Sequence, residues 1–145
     1  MSAPAGKQVL ILGGGFGGLY AALGLERTLA LKRDVQLTLV NRENFSLFTP
    51  MLHEVAASDL DMTHIVNPLR KLLSHGQFFN GEVEHIDLIS KTVTVVHGVN
   101  RNGHELKYDY LILALGSMTN FFGLPVLQHK AMTMKSLSDA IHLRN

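Results

Sequence analysis

The first forty residues of the chain alternate between buried-strand and helical patterns. Residues 7–12, KQVLIL, form a short aliphatic run that ends at Gly13 and is typical of a fully buried parallel strand. Residues 35–40, VQLTLV, predict a second strand of the same kind. Between them the chain has helical periodicity at Leu19, Ala22, Leu23, Glu26 and Ala30. Strand, glycine turn, helix and strand within about 35 residues constitute a βαβ unit.

The middle of the chain is less regular. Residues 42–61 show no clear period, and we expect a long loop that packs through its aromatic side chains. Helical spacing returns over residues 65–73, where Pro68 either begins the helix or breaks it and Gly76 follows as a terminator.

Strand patterns dominate the next part of the chain. Residues 78–86 and 92–96 predict two strands, and the NRNG turn at residues 100–103 indicates an antiparallel hairpin or meander. Residues 108–115 end in a continuous apolar run that favours another buried parallel strand, and Ser136 is a suitable cap for a last helix. We therefore predict an α/β fold, a Rossmann-like domain with a central parallel sheet and a small antiparallel β-meander.

Composition narrows the functional classes. The chain has 145 residues, 46% of them hydrophobic, which is enough to bury the core of a single globular domain. Its formal net charge is +1 and it carries no basic run, so nothing indicates nucleic-acid binding. It contains no cysteine, which excludes a redox disulfide, and its eight histidines lack metal-ligand spacing, so we assign no metal site.

The glycine-rich turn carries the clearest chemistry. Gly13, Gly15 and Gly18 form the pattern G-x-G-x-x-G directly after a predicted strand and at the start of a predicted helix. In that context the first glycine makes the turn, the second lets a pyrophosphate approach the backbone, and the third lets the helix pack close to the sheet. The alternative is a glycine-rich turn that binds no ligand, but the flanking elements favour a dinucleotide site.

The end of the second predicted strand departs from the usual dinucleotide pattern. An acidic residue is expected there to accept hydrogen bonds from the adenosine ribose, but the chain has Asn41, 23 residues after Gly18. An amide oxygen can accept one such bond, and Glu43 could supply the missing carboxylate. Arg42 leaves open a 2′-phosphate and therefore NADP.

Four runs in the order of the chain resemble the amino-terminal half of the type II NADH:quinone oxidoreductases, the non-proton-pumping NADH dehydrogenases. The resemblance extends from about residue 9 to residue 145, and the FTPML and EVA segments are more specific to that family than the glycines. The runs are VLILGGGFGGLYAA, LVNRENFSLFTPMLHEVA, GEVEHID and YDYLILALGSMTNFFG.

The resemblance implies FAD as the cofactor and a role for particular residues. The glycine turn would hold the pyrophosphate, Asn41 and Arg42 would flank the adenosine ribose, and Val83 would offer its backbone to the adenine. Thr49 and Pro50 would lie beside the isoalloxazine, although ordinary core packing of that loop is the alternative. Leu115 replaces a usual threonine in the segment that closes over the cofactor. The implied cofactor-binding residues are Gly13, Gly15, Phe16, Gly17, Gly18, Asn41, Arg42, Thr49, Pro50, Val83, Ala114, Gly116 and Ser117.

The same resemblance implies a flavoprotein that passes electrons from NADH through FAD to a quinone. We expect residues 1–145 to be its FAD-binding domain, with the NADH-binding domain and a carboxy-terminal membrane-anchoring region outside this chain. The family implies cytoplasmic location with peripheral attachment to the inner face of the cell membrane, and it is compatible with a homodimer. We name no catalytic acid or base. A second hypothesis for the function is a stand-alone dinucleotide-binding module without turnover, and a third is a single-domain NAD(P) dehydrogenase.

Overall fold

A computed structural model describes residues 6–29 and 34–145. Its first elements are strand β1 (Lys7–Leu12), helix α1 (Phe16–Leu29) and strand β2 (Val35–Asn41). They confirm the predicted βαβ unit, although Ala30, the last position of the helical pattern, lies outside the described residues.

The remaining elements follow in chain order. After β2 come strand β3 (Phe45–Leu47), helix α2 (Leu52–Ala56), strand β4 (Val66–Pro68) and helix α3 (Leu69–Leu72). Then come strands β5 (Gln77–Asn80), β6 (Glu82–Asp87), β7 (Thr92–His97), β8 (Asn102–Lys107) and β9 (Tyr110–Leu113), and helices α4 (Pro125–Lys130) and α5 (Leu137–Arg144). Two single 3₁₀ turns, Thr49–Met51 and Met62–His64, complete the described secondary structure.

The main sheet is parallel and has the strand order β5-β2-β1-β9. β1 pairs along its length with β2, from Lys7 opposite Val35 to Leu12 opposite Val40, and on its other side with β9. A three-stranded antiparallel sheet, β6-β7-β8, forms the meander, and β3 pairs with β4. The α/β fold with a parallel sheet and an antiparallel meander is therefore confirmed.

The chain divides into two compact units. The first comprises residues 1–46 and 68–115 and contains both larger sheets, and the second comprises residues 47–67 and 116–145. In the first unit, Ile11 and Leu39 are fully buried on one face of the sheet, and Leu12 and Val40 are fully buried with Val93 and Val95 of the meander. In the second unit, a small core joins α2 to α5 through Leu52, Val55, Ile65 and Ala140.

Four sequence predictions need correction. The run from residue 108 to 115 is not a buried strand, because β9 is confined to Tyr110–Leu113 and both of its end residues are exposed. Residues 42–61 are not a continuous loop, because they contain β3, a 3₁₀ turn and α2. Helix α3 begins directly after Pro68 but ends at Leu72, before Gly76. The run from residue 78 to 86 is two strands rather than one, because the chain leaves the parallel sheet at Gly81, where a Cβ would lie 2.5 Å from Val95 Cγ1.

Glu26 of α1 binds the turn that leads into β5. Its carboxylate accepts hydrogen bonds from the backbone N–H groups of Ser74 at 3.2 Å, His75 at 2.9 Å and Gly76 at 2.5 Å. Burial alone would raise the pKa of this carboxyl, but the three N–H donors more than offset burial and lower the pKa below its usual value. The helix is thereby fixed to the start of a strand about fifty residues further along the chain.

Within the described ranges, no helix is long and apolar enough to cross a membrane.

We predict that Glu26→Gln lowers the free energy of unfolding by about 2 kcal/mol at pH 7, because three part-buried N–H donors lose a charged acceptor. The folded pKa lies below the unfolded one, so the stabilisation is present above the unfolded value near pH 4 and is lost as pH falls through the folded pKa. The measurement is denaturant unfolding at several pH values. Glu105→Gln, at an exposed position, is the control. A Glu26→Gln deficit as large at pH 3 as at pH 7 would contradict this account.

Candidate cofactor-binding site

The glycine turn lies where the sheet order reverses direction. From β1 the chain passes first to β2 and β5 on one side and later to β9 on the other. In open parallel sheets this switch point, at the carboxyl ends of the strands, leaves a crevice in which ligands bind. The turn from Gly13 to Gly15 follows β1 at that edge and leads directly into α1. The sequence therefore positions the turn and the positive end of the helix dipole at the binding crevice.

Gly13 and Gly18 are required by packing. Gly13 has φ of +105°, and a Cβ on it would collide with the carbonyl oxygen of Ala114, just after β9. A Cβ on Gly18 would collide with the carbonyl oxygen of Gly13 and lie 3.3 Å from Ala114 Cβ. These two glycines and Ala114 therefore let the start of α1 pack against the ends of β1 and β9.

Gly15 has a different environment. A Cβ built there meets no protein atom within 4 Å among the described residues, and the residue is exposed. The fold does not need glycine at this position, but an approaching phosphate would, because a side chain would occupy the same space. Gly17 is also exposed, and its Cβ would make only ordinary contact, at 3.8 Å from Ala114 Cβ. Phe16 opens the helix with its ring stacked on Tyr20, the two centroids lying 6.5 Å apart.

Asn41 stands at the end of β2, beside the turn. Its side-chain oxygen accepts a hydrogen bond from the Gly14 N–H at 2.8 Å, and its side-chain nitrogen donates to the Glu43 carbonyl at 2.9 Å. Both amide atoms are thus bound within the protein. The Arg42 side chain is exposed, and its Nε lies 3.9 Å from the Glu43 carboxylate.

Asn80 is a part of this edge that sequence reasoning missed. Its side-chain nitrogen donates to the carbonyl oxygens of Asn41 at 3.1 Å and Arg42 at 2.8 Å. Gly81 N–H also donates to the Asn41 carbonyl, at 2.9 Å. The signal was present in the sequence, because Asn80, like Asn41, is a polar residue at the carboxyl end of a parallel strand. Periodicity alone does not separate β5 from β6, so it does not place Asn80 at the end of a strand.

Val83 lies on β6, an edge strand of the antiparallel sheet. The β6–β7 pairing is irregular between Val83 and His85. Edge position and an irregular register are the features that leave backbone groups of a strand available to another partner. The predicted adenine contact through the Val83 backbone is compatible with this placement and stays a prediction.

The other predicted site residues belong to the second unit. Thr49 and Pro50 form an exposed 3₁₀ turn directly before α2. Gly116 has φ of +80°, and the Ser117 hydroxyl accepts a hydrogen bond from Lys135 Nζ at 3.0 Å. Their contact with a cofactor stays a prediction, as does the effect of Leu115, which is exposed.

Strand order, the glycine turn and the helix that follows define a dinucleotide-binding fold of the Rossmann class. The family model described as pyridine nucleotide-disulphide oxidoreductase matches residues 7–145. The chain belongs to that family.

Two individual relatives make the comparison more specific. The chain is 36% identical to the type II NADH:quinone oxidoreductase Ndh of Mycobacterium tuberculosis, over 97% of its own length and 30% of the relative's. It is 32% identical to the mitochondrial external alternative NAD(P)H-ubiquinone oxidoreductase B1 of Solanum tuberosum, over 95% of its length and 25% of the relative's.

A solved structure agrees with these relatives. The structure of NDH2 from Plasmodium falciparum in complex with NADH superposes with a TM-score of 0.83 and 25% identity, over 95% of this chain and 28% of that one. The resemblance to type II NADH:quinone oxidoreductases is confirmed. The chain spans only 25% to 30% of the length of the two relatives.

We predict that Gly18→Ala and Gly15→Ala differ strongly in their effect on stability. Gly18→Ala should lower the free energy of unfolding by about 3 kcal/mol, because the new methyl group collides with the Gly13 carbonyl. Gly15→Ala should change it by less than about 0.5 kcal/mol, because the new methyl group enters open space. Thermal and denaturant unfolding of the two variants measures the difference, and equal effects would show that the packing of the turn is wrong.

Proposed function

We propose that this chain is the FAD-binding part of an oxidoreductase that passes electrons from NADH through flavin to a quinone. The observation that carries the proposal is the combination of the glycine turn at the switch point with a 36% identity to a type II NADH:quinone oxidoreductase over 97% of the chain. The enzymatic activity belongs to a longer protein, in which further parts bind NADH and quinone.

The residues of the first unit fit the adenosine and pyrophosphate half of FAD. The open space at Gly15 admits a phosphate. The backbone N–H groups at the start of α1 lie at the positive end of the helix dipole, which favours a negatively charged phosphate. Asn41 holds the Gly14 N–H, so the turn is ordered before any ligand arrives. A preformed turn avoids the entropic cost of ordering on binding and so favours affinity.

FAD, when bound, would supply the two-electron redox chemistry that connects NADH to a quinone. The residues of this chain then have binding and orienting roles. Gly13, Gly15, Gly17 and Gly18 admit the pyrophosphate, Phe16 packs at the helix start, and Asn41 and Arg42 form the strand end beside the ribose. Val83 lies near the start of β6 and Ala114 directly after β9, while Thr49, Pro50, Gly116 and Ser117 would act on the flavin side. Among these residues we assign no acid or base.

The finer expectations rest on the resemblance alone. Peripheral attachment to the inner face of the cell membrane, through a region beyond this chain, is part of the same proposal. So is association as a homodimer. Both are tested on the longer protein, by its partition between membrane and soluble fractions and by its mass in solution.

The first experiment is a titration of the purified chain with FAD, followed by absorbance and flavin fluorescence. We expect saturable binding and a perturbed flavin spectrum. NAD and NADP are titrated in parallel, because binding of either in preference to FAD would favour the dehydrogenase reading and overturn the flavin assignment. If the chain binds FAD, the longer protein should oxidise NADH with a quinone as acceptor.

We predict that Gly15→Val abolishes FAD binding without unfolding the protein. The valine side chain fills the space that the pyrophosphate needs, but it meets no protein atom near the position of its Cβ. The measurement pairs FAD titration with thermal unfolding of the same variant. Unchanged FAD affinity would overturn the assignment of the turn. Lost affinity accompanied by a large fall in stability would contradict the open environment of Gly15.

A further inference from the structure

The orientation of the Asn41 side chain is dictated by its neighbours. The Gly14 N–H can only donate, so the atom 2.8 Å from it is the amide oxygen. The Glu43 carbonyl can only accept, so the atom 2.9 Å from it is the amide nitrogen. Asn41 therefore joins the glycine turn on one side to the residues after β2 on the other.

The residues after β2 are held by a second set of bonds. Asn80 Nδ2 donates to the Arg42 carbonyl at 2.8 Å and to the Asn41 carbonyl at 3.1 Å. The backbone from Asn41 to Glu43 is thus bound at three successive carbonyl oxygens by side-chain amides. These hydrogen bonds fix the backbone position of Glu43, which lies at the carboxyl edge of the sheet, two residues beyond β2.

Ribose recognition requires acceptors for two neighbouring O–H donors. One lone pair of the Asn41 oxygen is already occupied by Gly14, whereas a carboxylate offers two oxygens with about four acceptor positions. The Glu43 carboxylate is a suitable candidate, since 54% of its side-chain surface is exposed. Its approach to Arg42 Nε, at 3.9 Å, is too long for a hydrogen bond. Glu82, the acidic residue just after β5, is instead bonded to Arg101 at 3.2 Å.

We propose that Asn41 positions the phosphate-binding turn and that the Glu43 carboxylate, not Asn41, accepts the hydrogen bonds of the adenosine ribose hydroxyls. The proposal rests on the proposed function, because it concerns the adenosine part of the same site. It moves the acidic group of the dinucleotide pattern two residues along the chain and leaves a neutral side chain in its usual place.

Two probes separate the two roles. ADP carries both ribose hydroxyls and 2′,3′-dideoxy-ADP carries neither, while both carry the same pyrophosphate. Calorimetric titration of the 145-residue chain gives the dissociation constant of each. We expect ADP to bind about tenfold more tightly than the dideoxy compound, the effect of losing a hydrogen bond to a charged group.

The Glu43→Gln variant tests ribose recognition. We expect ADP affinity to fall severalfold, towards the level of the dideoxy compound, because the amide loses the charge and one acceptor oxygen, while affinity for the dideoxy compound is unchanged. Because Glu43 is exposed, this variant should fold normally, and Glu105→Gln is the matched control with unchanged affinities. An undiminished preference for ADP in Glu43→Gln overturns the proposal.

The Asn41→Ala variant tests the positioning role. It should weaken the dideoxy compound about as much as ADP, because the turn that binds the phosphates loses its support. Loss of ADP affinity alone would make Asn41 the ribose ligand and overturn the proposal. If the unmodified chain fails to bind FAD, both the proposed function and this inference are wrong. If the chain binds FAD but the Glu43→Gln variant still prefers ADP to the dideoxy compound as strongly as before, only this inference is wrong.

Discussion

The site depends on two positions where no side chain fits. A Cβ at Gly13 or Gly18 would collide with a backbone carbonyl, of Ala114 in one case and of Gly13 in the other. Because Gly13 and Gly18 have no side chain, β1, β9 and the start of α1 can approach one another closely. If the helix stood further from the sheet, its N–H groups would not meet a ligand held at the carboxyl ends of the strands. Helix packing and ligand binding therefore both require glycine at these positions of the turn.

Side-chain amides complete what the glycines begin. Backbone groups at the end of a parallel sheet have lost their strand partners and need other ones. Asn41 and Asn80 supply them to the Gly14 N–H and to the carbonyls of residues 41–43. Neutral amides can donate and accept at once, which a carboxylate cannot do. Two asparagines at adjacent strand ends therefore order the crevice edge without a ligand.

The sequence predicts best where local pattern and tertiary environment agree. β1 and β2 combine buried periodicity with a glycine turn between them, and both begin and end within about one residue of the prediction, whereas α1 begins at Phe16, three residues before the first position of the helical pattern. The run from Phe78 to Ile86 does contain a turn signal, the pair Asn80-Gly81, but both of its halves are strand-like, and periodicity alone reads it as one strand. The strand order shows that the chain changes sheets there, and the Val95 side chain and the Val96 carbonyl leave no room for a side chain at Gly81. The roles of Asn80 and Glu26 depend on partners distant in sequence, so periodicity could not find them.

A neutral residue at the end of β2 also changes the electrostatics of the crevice. The Asn41 oxygen lies 2.8 Å from the Gly14 nitrogen, so a carboxylate in its place would put a negative charge next to the glycine turn, where the proposed function places the pyrophosphate. Like charges near a protein surface repel each other, and the repulsion grows as the distance between them shortens. In the proposed site, Glu43 supplies the acceptor for the ribose and no carboxylate lies beside the glycine turn. The asparagine is thus consistent with a site that still binds a dinucleotide but divides phosphate and ribose recognition between two residues.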